Sequence, residues 1–313
     1  MDYYIGVDSG GSKTEFVLAD ETGHVLQRAV DSGCNPLDKG PDVAGEIILR
    51  NVEQLAEKAP KRVCSIYAGI AGANHVDMHL TELIRHKLGC AKVRIEDDRR
   101  IVVSGTLGHA DGCGMICGTG SSLSIIIGEE PIRQVGGLGY LIDTGGSGYE
   151  LGQAGLRQAC RYLDGRGEYT VLAELITKAL GKNPWEGLAD IYAGGRPFIA
   201  SLAHTVFEGM ELGDSVCRRL VEEAAYKLSE LTFAAEKFFA GEFPVVMTGG
   251  IFNAYPEYVR LVCDKASPRA RMIMAEVPPV YGALVEAMWQ NGRVADASVR
   301  SNFMSGLSPT FCE

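Results

Sequence analysis

Two short apolar runs, far apart in the chain, end in turns of the same make. Tyr3 to Val7 enters Asp8-Ser9-Gly10-Gly11-Ser12-Lys13, and a second β-rich run, Thr14 to Ala19, follows at once. Gly114 to Cys117 enters Gly118-Thr119-Gly120-Ser121, and Leu123 to Ile127 follows. Each pair then turns again, at Thr22-Gly23 and at Gly128-Glu129-Glu130-Pro131, into a third run, Val25 to Val30 and Ile132 to Val135. Apolar runs of this length separated by Gly-rich turns read as strands, so each half opens as a three-stranded antiparallel meander. A supersecondary unit that occurs twice implies a duplicated domain, with the boundary near residues 108–113.

Glycine use sharpens this. There are 39 glycines in 313 residues, and 15 of them fall within the 51 residues from Gly105 to Gly155. No strict triplet runs through them, which excludes collagen. Ile, Leu, Val and Cys are interleaved, which excludes a flexible linker. Glycine inside apolar runs marks sites where backbone turns tightly or lets something approach closely.

The remaining pattern is mixed. Pro41 to Lys58, Met78 to Leu88, Asp98 to Leu107, Ser147 to Leu163, Tyr169 to Leu180, Asp214 to Phe239, Pro256 to Lys265 and Tyr281 to Trp289 carry helical apolar spacing. Val63 to Ala68, Lys92 to Glu96, Pro244 to Thr248 and Arg271 to Ala275 read as strands. Strands alternating with helices in both halves predict an α/β fold with mixed sheets. The expected domains are 1–110 and 111–313, and the last helix, about 280–292, is a candidate for packing back on the first domain.

Composition excludes several classes. The formal net charge of −10 argues against a nucleic-acid partner or an anionic-membrane partner. The longest uncharged stretch, Gly112 to Gly128, is too short and too rich in Gly and Ser to span a bilayer. Met1-Asp2-Tyr3-Tyr4 lacks the basic start of a signal peptide, so a cytoplasmic location is expected. Nine dispersed cysteines in a reducing compartment read as free thiols, mostly small buried hydrophobes.

Three motifs carry chemistry. A hairpin turn rich in Gly and Ser offers several backbone N–H groups to a phosphate. Gly10, Gly11, Ser12, Lys13 and Thr14 form one such turn, with Asp8 placed to hold Mg²⁺ directly or through water. Gly118, Thr119, Gly120 and Ser121 form the second. The third is Thr248-Gly249-Gly250-Ile251-Phe252-Asn253, where paired glycines at a strand end let a flat ring pack on the backbone. The order of Gly and Lys, and the missing helix, exclude a Walker A loop. Each turn also has an ordinary reading as a tight hairpin, and it is their recurrence in duplicated halves that makes them specific.

In order and spacing these motifs resemble the phosphate-1, phosphate-2 and adenosine motifs of the sugar kinase, heat-shock ATPase and actin superfamily. More narrowly the chain resembles the BadF/BadG/BcrA/BcrD ATPase family, in its N-acetylglucosamine kinase-like branch. Gly69-Ile70-Ala71-Gly72, Gly136-Gly137-Leu138-Gly139, Gly146-Ser147-Gly148-Tyr149 and Pro279-Val280-Tyr281-Gly282-Ala283-Leu284 carry the likeness across nearly the whole chain. The resemblance implies two ribonuclease H-like (actin-like ATPase) domains flanking an interdomain ATP cleft. It implies an ATP-dependent kinase, with ATP and Mg²⁺, acting on a hydroxyl of N-acetylglucosamine, glucosamine or a related sugar.

It also implies roles for residues. Asp98, seven before Gly105, is the expected catalytic base; the plain alternative is a helix N-cap Asp, which Asp97 or Asp98 would satisfy. Asn35, Gly69, Gly72, Thr119, Gly137, Asp143 and Thr144 fall at the sugar-binding positions, and Gly10 to Thr14, Gly118 to Ser121, Gly249, Gly250 and Asn253 at the ATP-binding ones. Asn35 reads equally as the cap of an Asn-Pro turn. One departure stands out. The kinase branch has Gly-Asp-Glu-Gly-Ser before the long helix, whereas this chain has Asp143-Thr144-Gly145-Gly146-Ser147. Arg99 and Arg100, just after the expected base, either pair with a substrate anion or solvate a helix face.

Two other functions stay open at this stage. One is an ATPase that activates a 2-hydroxyacyl-CoA dehydratase or benzoyl-CoA reductase through an iron–sulfur cluster, although no Cys lies in Thr144-Gly145-Gly146-Ser147-Gly148. The other is a sensor that binds nucleotide or sugar without phosphoryl transfer. The expected partner is a small sugar acceptor, and a homodimer is left open.

Overall fold

The computed structural model describes residues 1–10, 13–76, 79–143 and 145–307. In chain order the first half holds β1 (Tyr3–Ser9), β2 (Lys13–Asp20), β3 (Val25–Ser32), α1 (Pro36–Lys39), α2 (Pro41–Lys58), β4 (Val63–Ile70), α3 (Leu80–Leu88), β5 (Lys92–Glu96) and α4 (Arg99–Leu107). The second half opens with β6 (Gly112–Cys117), β7 (Ser121–Ile126) and β8 (Arg133–Val135). Helices α5 (Gly148–Leu163), α6 (Leu172–Leu180), α7 (Leu188–Ser201), α8 (Ala203–Glu211) and α9 (Ser215–Ala235) follow. The chain continues with β9 (Phe243–Thr248), α10 (Gly250–Ala254), α11 (Pro256–Lys265), β10 (Ala270–Met274), α12 (Pro279–Gln290) and α13 (Ala297–Leu307).

The two sheets have the same topology. The first runs β3-β2-β1-β4-β5, and the second, read from its far edge, runs β8-β7-β6-β9-β10. In the first, β1 pairs antiparallel with β2 and parallel with β4, so the strand direction switches at β1. In the second, β6 pairs parallel with β9, and β7 antiparallel with β8. The switch lies beside the leading strand of each half. Ligands of open α/β sheets gather at the carboxyl ends of strands near such a switch.

The chain divides into two compact units at places that differ from the expected boundary. One unit takes residues 1–112, 126–132 and Ala275 onward; the other takes 113–125 and 133–274. Thus 126–132 and 275–307 belong with the first sheet, and residues 111–313 are not one domain. The reason lies in α12. Its Val280, Ala283, Leu284, Ala287 and Met288 share an apolar core with Tyr4, Val17, Tyr67 and Ile101 of the first unit. A buried Leu or Met contributes about 2 kcal/mol through apolar area removed from water, so this helix is bound firmly to the first sheet.

Glycine sets two close approaches in that core. A Cβ on Gly6 of β1 would lie 2.8 Å from the Leu284 N, and one on Gly282 of α12 would lie 1.8 Å from the Ile101 carbonyl oxygen of α4. Helix α12 therefore lies directly on β1 and α4, and it fixes the helix that begins beside Asp98. On the opposite face of the sheet, α2 buries Ala44, Ile48, Val52 and Leu55 against Ile5, Val7 and Phe16.

Helices α7, α8 and α13 were not expected from the sequence. Helix α7 contains Gly195 (φ 56°, ψ −149°) and Pro197, which interrupt its periodicity and hide it from a pattern search. Of the eight described cysteines, all free, five are buried; burial pushes the Cys113, Cys117 and Cys217 thiols up to about 12. Among the described residues no helix is long and apolar enough to cross a membrane.

Candidate active site

In the first unit the expected site residues gather at the carboxyl ends of β1, β4 and β5. Asp8 stands one residue before the end of β1, aligned with Glu15 of β2 on one side and Gly69 of β4 on the other. Burial and the Glu15 carboxylate raise the Asp8 carboxyl to about 6, against a smaller opposing pull from Lys13. Glu15 is itself buried and paired with Lys13 (3.3 Å) and Arg28 (2.8 Å). The hairpin is braced from within. The Ser9 and Thr14 hydroxyls lie 2.9 Å apart, the Thr14 hydroxyl donates to the Ser32 carbonyl, and the Cys34 N–H donates to the Ser9 Oγ. Thr14, expected among the ATP ligands, thus has its side chain fully buried and committed to holding β1, β2 and the 32–34 turn together. Gly10 closes the turn by donating to the Lys13 carbonyl at 3.0 Å. Gly11 and Ser12 lie outside the described residues.

Asn35 does cap a turn. Its Oδ1 accepts from the Leu37 N–H at 2.9 Å, at the start of α1. It also meets Gly72, where a Cβ would lie 2.7 Å from that Oδ1. Asn35 and Gly72, far apart in sequence, are therefore neighbours, and the cap uses the Asn35 Oδ1. Gly69 has a packing reason: a Cβ there would lie 2.7 Å from the Ile101 side chain of α4.

Two adjacent carboxylates start α4. Asp97 is buried and accepts hydrogen bonds from the backbone N–H and the guanidinium of Arg99, so it performs the capping job. Hydrogen bonding and charge from Arg99 hold its carboxyl below the usual range. Asp98 makes no side-chain cap. Burial first, then the charges of Asp97 and Asp8, raise it to about 7, with Arg99 pulling weakly the other way. A carboxylate poised near neutrality, beside a paired one, is the arrangement of a general base. Arg100 solvates no helix face: it is buried, donating to Glu96 at 3.1 Å and to the Gly128 carbonyl at 2.9 Å.

In the second unit the glycine turns converge. Gly118 N–H donates to the Gly120 carbonyl, closing the hairpin, and the Gly118 and Thr119 carbonyls accept from Gly148 and Tyr149 N–H at the start of α5. A Cβ on Gly148 would lie 2.9 Å from the Gly118 carbonyl oxygen, and one on Gly249 only 2.2 Å from that of Cys117. Gly249 has φ 121° and ψ 160°, backbone open only to glycine. Gly250 opens α10, and Asn253 is exposed on it. The Gly118–Ser121 turn, the start of α5 and the Gly249-Gly250 turn thus sit together.

Close by is the 136–146 loop. Gly137 (φ 69°) packs on Ser122, where a Cβ would meet Ser122 Cβ at 2.5 Å. The Ser121 hydroxyl donates to the Gly145 carbonyl at 2.6 Å. Asp143 lines a shallow cavity of about 500 Å³ with Ser121, Gly137, Gly145 and Lys227, and a smaller one with Thr119 and Gly120. Thr144 lies outside the described residues. Gly145 has no steric need to be glycine: a Cβ there meets nothing closer than 3.6 Å.

Sequence reasoning missed Glu15, which only strand pairing places beside Asp8. It also missed Arg196 on α7, whose Nη2 lies 2.8 Å from where a Gly120 Cβ would be. The Gly194-Gly195-Arg196-Pro197 run was the available signal for a break there.

For Mg²⁺, the donor chemistry is suitable. Among the described residues no group of three or more His, Cys, Asp or Glu is arranged to cage a metal. Mg²⁺ in phosphotransferases is held by one or two carboxylates and keeps its waters and substrate phosphates. The half-buried Asp8 next to a Gly-rich turn fits that mode.

The chain is similar to several known sugar kinases. A curated relative from Clostridium acetobutylicum, named N-acetylmuramic acid/N-acetylglucosamine kinase, is 30% identical over 304 residues, covering 92% of this chain and 98% of the relative. An N-acetyl-D-glucosamine kinase from Dictyostelium discoideum is 27% identical over 92% of this chain and 98% of its own. Among solved structures, a provisionally assigned N-acetylglucosamine kinase from Chromobacterium violaceum superposes with a TM-score of 0.70 at 24% identity, covering 91% of this chain and 98% of that one. A glucokinase of the ROK family from Streptomyces griseus, solved with glucose and AMPPNP, gives 0.54 at 18% identity over 93% and 100%. The two mixed sheets are thus those of the actin-like fold shared with sugar kinases. The family model for BadF/BadG/BcrA/BcrD ATPases matches residues 5–287, and the chain belongs to that family.

Proposed function

We propose that the protein is an ATP-dependent kinase that phosphorylates a hydroxyl of an amino sugar: N-acetylglucosamine, glucosamine or a close relative. The observation that carries this reading is Asp98, a carboxylate raised to about 7 at the end of β5 while its neighbour Asp97 does the capping. The kinase names of relatives that match over nearly the full chain support it.

In this reading Asp98 accepts the proton of the acceptor hydroxyl as its oxygen bonds to the γ-phosphorus and the bond to the ADP oxygen breaks. Asn35, beside Gly72, orients the sugar through its Nδ2. Backbone N–H groups of the two hairpin turns other than those of Gly10 and Gly118, which bond within the turns, hold phosphate oxygens, and Gly249-Gly250 offers flat backbone to the adenine. Asp8 would hold Mg²⁺, which when bound offsets phosphate charge. Asp143 stands in for the sugar-contacting Asp that the kinase branch carries one place later. The iron–sulfur alternative has no cysteine at the start of α5, where Ser147 is the cap.

The test is coupled ADP release over a panel of glucosamine, N-acetylglucosamine, N-acetylmuramate and glucose. An amino sugar should raise turnover well above the basal rate, and Asp98→Asn should abolish the rise. A panel with no stimulation would refute the reading for these acceptors.

A further inference from the structure

Arg196 is placed by a break in its own helix. Gly195 takes φ 56° and ψ −149°, a conformation that costs any other residue dearly, and Pro197 follows. The break turns the Arg196 side chain toward the second phosphate turn, where its Nη2 occupies the space a Gly120 Cβ would need. The guanidinium carbon sits 5.8 Å from the centre of the Tyr140 ring. Arg196 and Tyr140 line one cavity of about 40 Å³ with Thr119, Gly120, Gly137 and Asp143. That is room for a few water-sized groups.

Among the described residues Arg196 has no ion-pair partner, although Asp and Glu outnumber Lys and Arg by 40 to 30 in the chain. A guanidinium without a carboxylate, backed by an aromatic ring and aimed at a hairpin whose N–H groups suit oxyanions, is a fork set for a ligand anion.

We infer that Arg196 is the anion-binding residue of this site, taking either a carboxylate on an acidic amino sugar or a phosphate oxygen of the nucleotide. This rests on the kinase reading above and deepens it: the first source would make the enzyme one that accepts acidic acceptors. A Cβ on Gly120 would crowd the Arg196 guanidinium, and Gly195, next to Arg196, takes backbone that favours glycine.

The experiment compares Arg196→Ala and Arg196→Lys with the parent protein. Arg196 is exposed, so neither change should impair folding. KM is measured for ATP, for neutral N-acetylglucosamine and for acidic N-acetylmuramate. Isothermal titration with AMPPNP and with N-acetylmuramate is run in parallel. A carboxylate source gives a loss of about tenfold or more, confined to the acidic acceptor. A phosphate source gives a similar rise in KM for ATP with both acceptors. In either case Arg196→Lys recovers only part, because an ammonium lacks the fork. If the parent phosphorylates nothing, the kinase reading fails, and the titrations still report on Arg196. Equal values in parent and Arg196→Ala in every assay, or binding of neither titrant, overturns the inference.

Discussion

Asp97 and Asp98 are consecutive carboxylates joined by a hydrogen bond, yet only Asp97 has a cation of its own. Arg99 donates to Asp97 through both backbone and side chain. Asp98 is left with burial, the Asp97 charge and the more distant Asp8 charge, all favouring its protonated form. The pair therefore divides two tasks: one carboxylate fixes the helix start, and the other is kept near the pH at which it can take and release a proton.

The first prediction follows from the sign of that shift. As the proposed base, Asp98 must be ionised to work, so kcat/KM should rise with pH, bend near about 7 and level above it. Asp98→Asn should lower kcat by roughly 100-fold or more and remove the bend. Retention of full activity by Asp98→Asn would remove Asp98 from the chemistry.

Stability should move the other way. A carboxyl raised from 3.8 to about 7 binds its proton more tightly when folded. Its folded form is therefore penalised progressively as pH rises between those values. Asp98→Asn should have a higher Tm than the parent at pH 8, and the gap should close at pH 4. Thermal melts at the two pH values measure it, and a gap that does not change with pH contradicts the shift.

Asp97→Asn removes the nearest negative charge from Asp98. The bend in the rate profile should then move below 7, at the expense of a poorer capped and less stable α4. An unchanged bend would show that the Asp97 charge does not set the Asp98 value.

Two glycines are predicted to act through backbone approach. Gly282→Ala puts a methyl group where the Ile101 carbonyl oxygen stands, 1.8 Å away. It should cost about 2 kcal/mol or more in denaturant unfolding, and lower kcat as α4 is displaced. Gly249→Ala meets both a disallowed φ of 121° and the Cys117 carbonyl. It should cost about 1–3 kcal/mol and raise KM for ATP more than KM for the sugar. Wild-type melting in either variant would contradict the close packing.

Much of this was legible in the residues. The Gly-rich turns after β1 and β6, repeated at matching places, indicated a duplicated meander, and the two sheets do share one strand order. Helical spacing located α2 and α11 with the bounds 41–58 and 256–265 that the structure has. Local pattern failed where local chemistry is broken. Helix α7 is interrupted by Gly195 and Pro197, so its 3.6-residue period does not persist long enough to be recognised.

Sequence by itself determined the glycine turns, the strands and most of the longer helices, the family likeness and a short list of carboxylates that included Asp98. These depend on periodicity and on residue types needed at fixed spacing, which are local properties. Tertiary structure decided which of two adjacent aspartates caps α4 and which is left near pH 7, because that depends on where Arg99 and Asp8 come to rest. It decided that Ala275 onward joins the first unit, because the apolar face of α12 matches β1 and α4 across more than 170 residues of chain. It also brought Arg196 to Gly120, since two residues 76 apart meet only when the break at Gly195 turns the chain toward the hairpin.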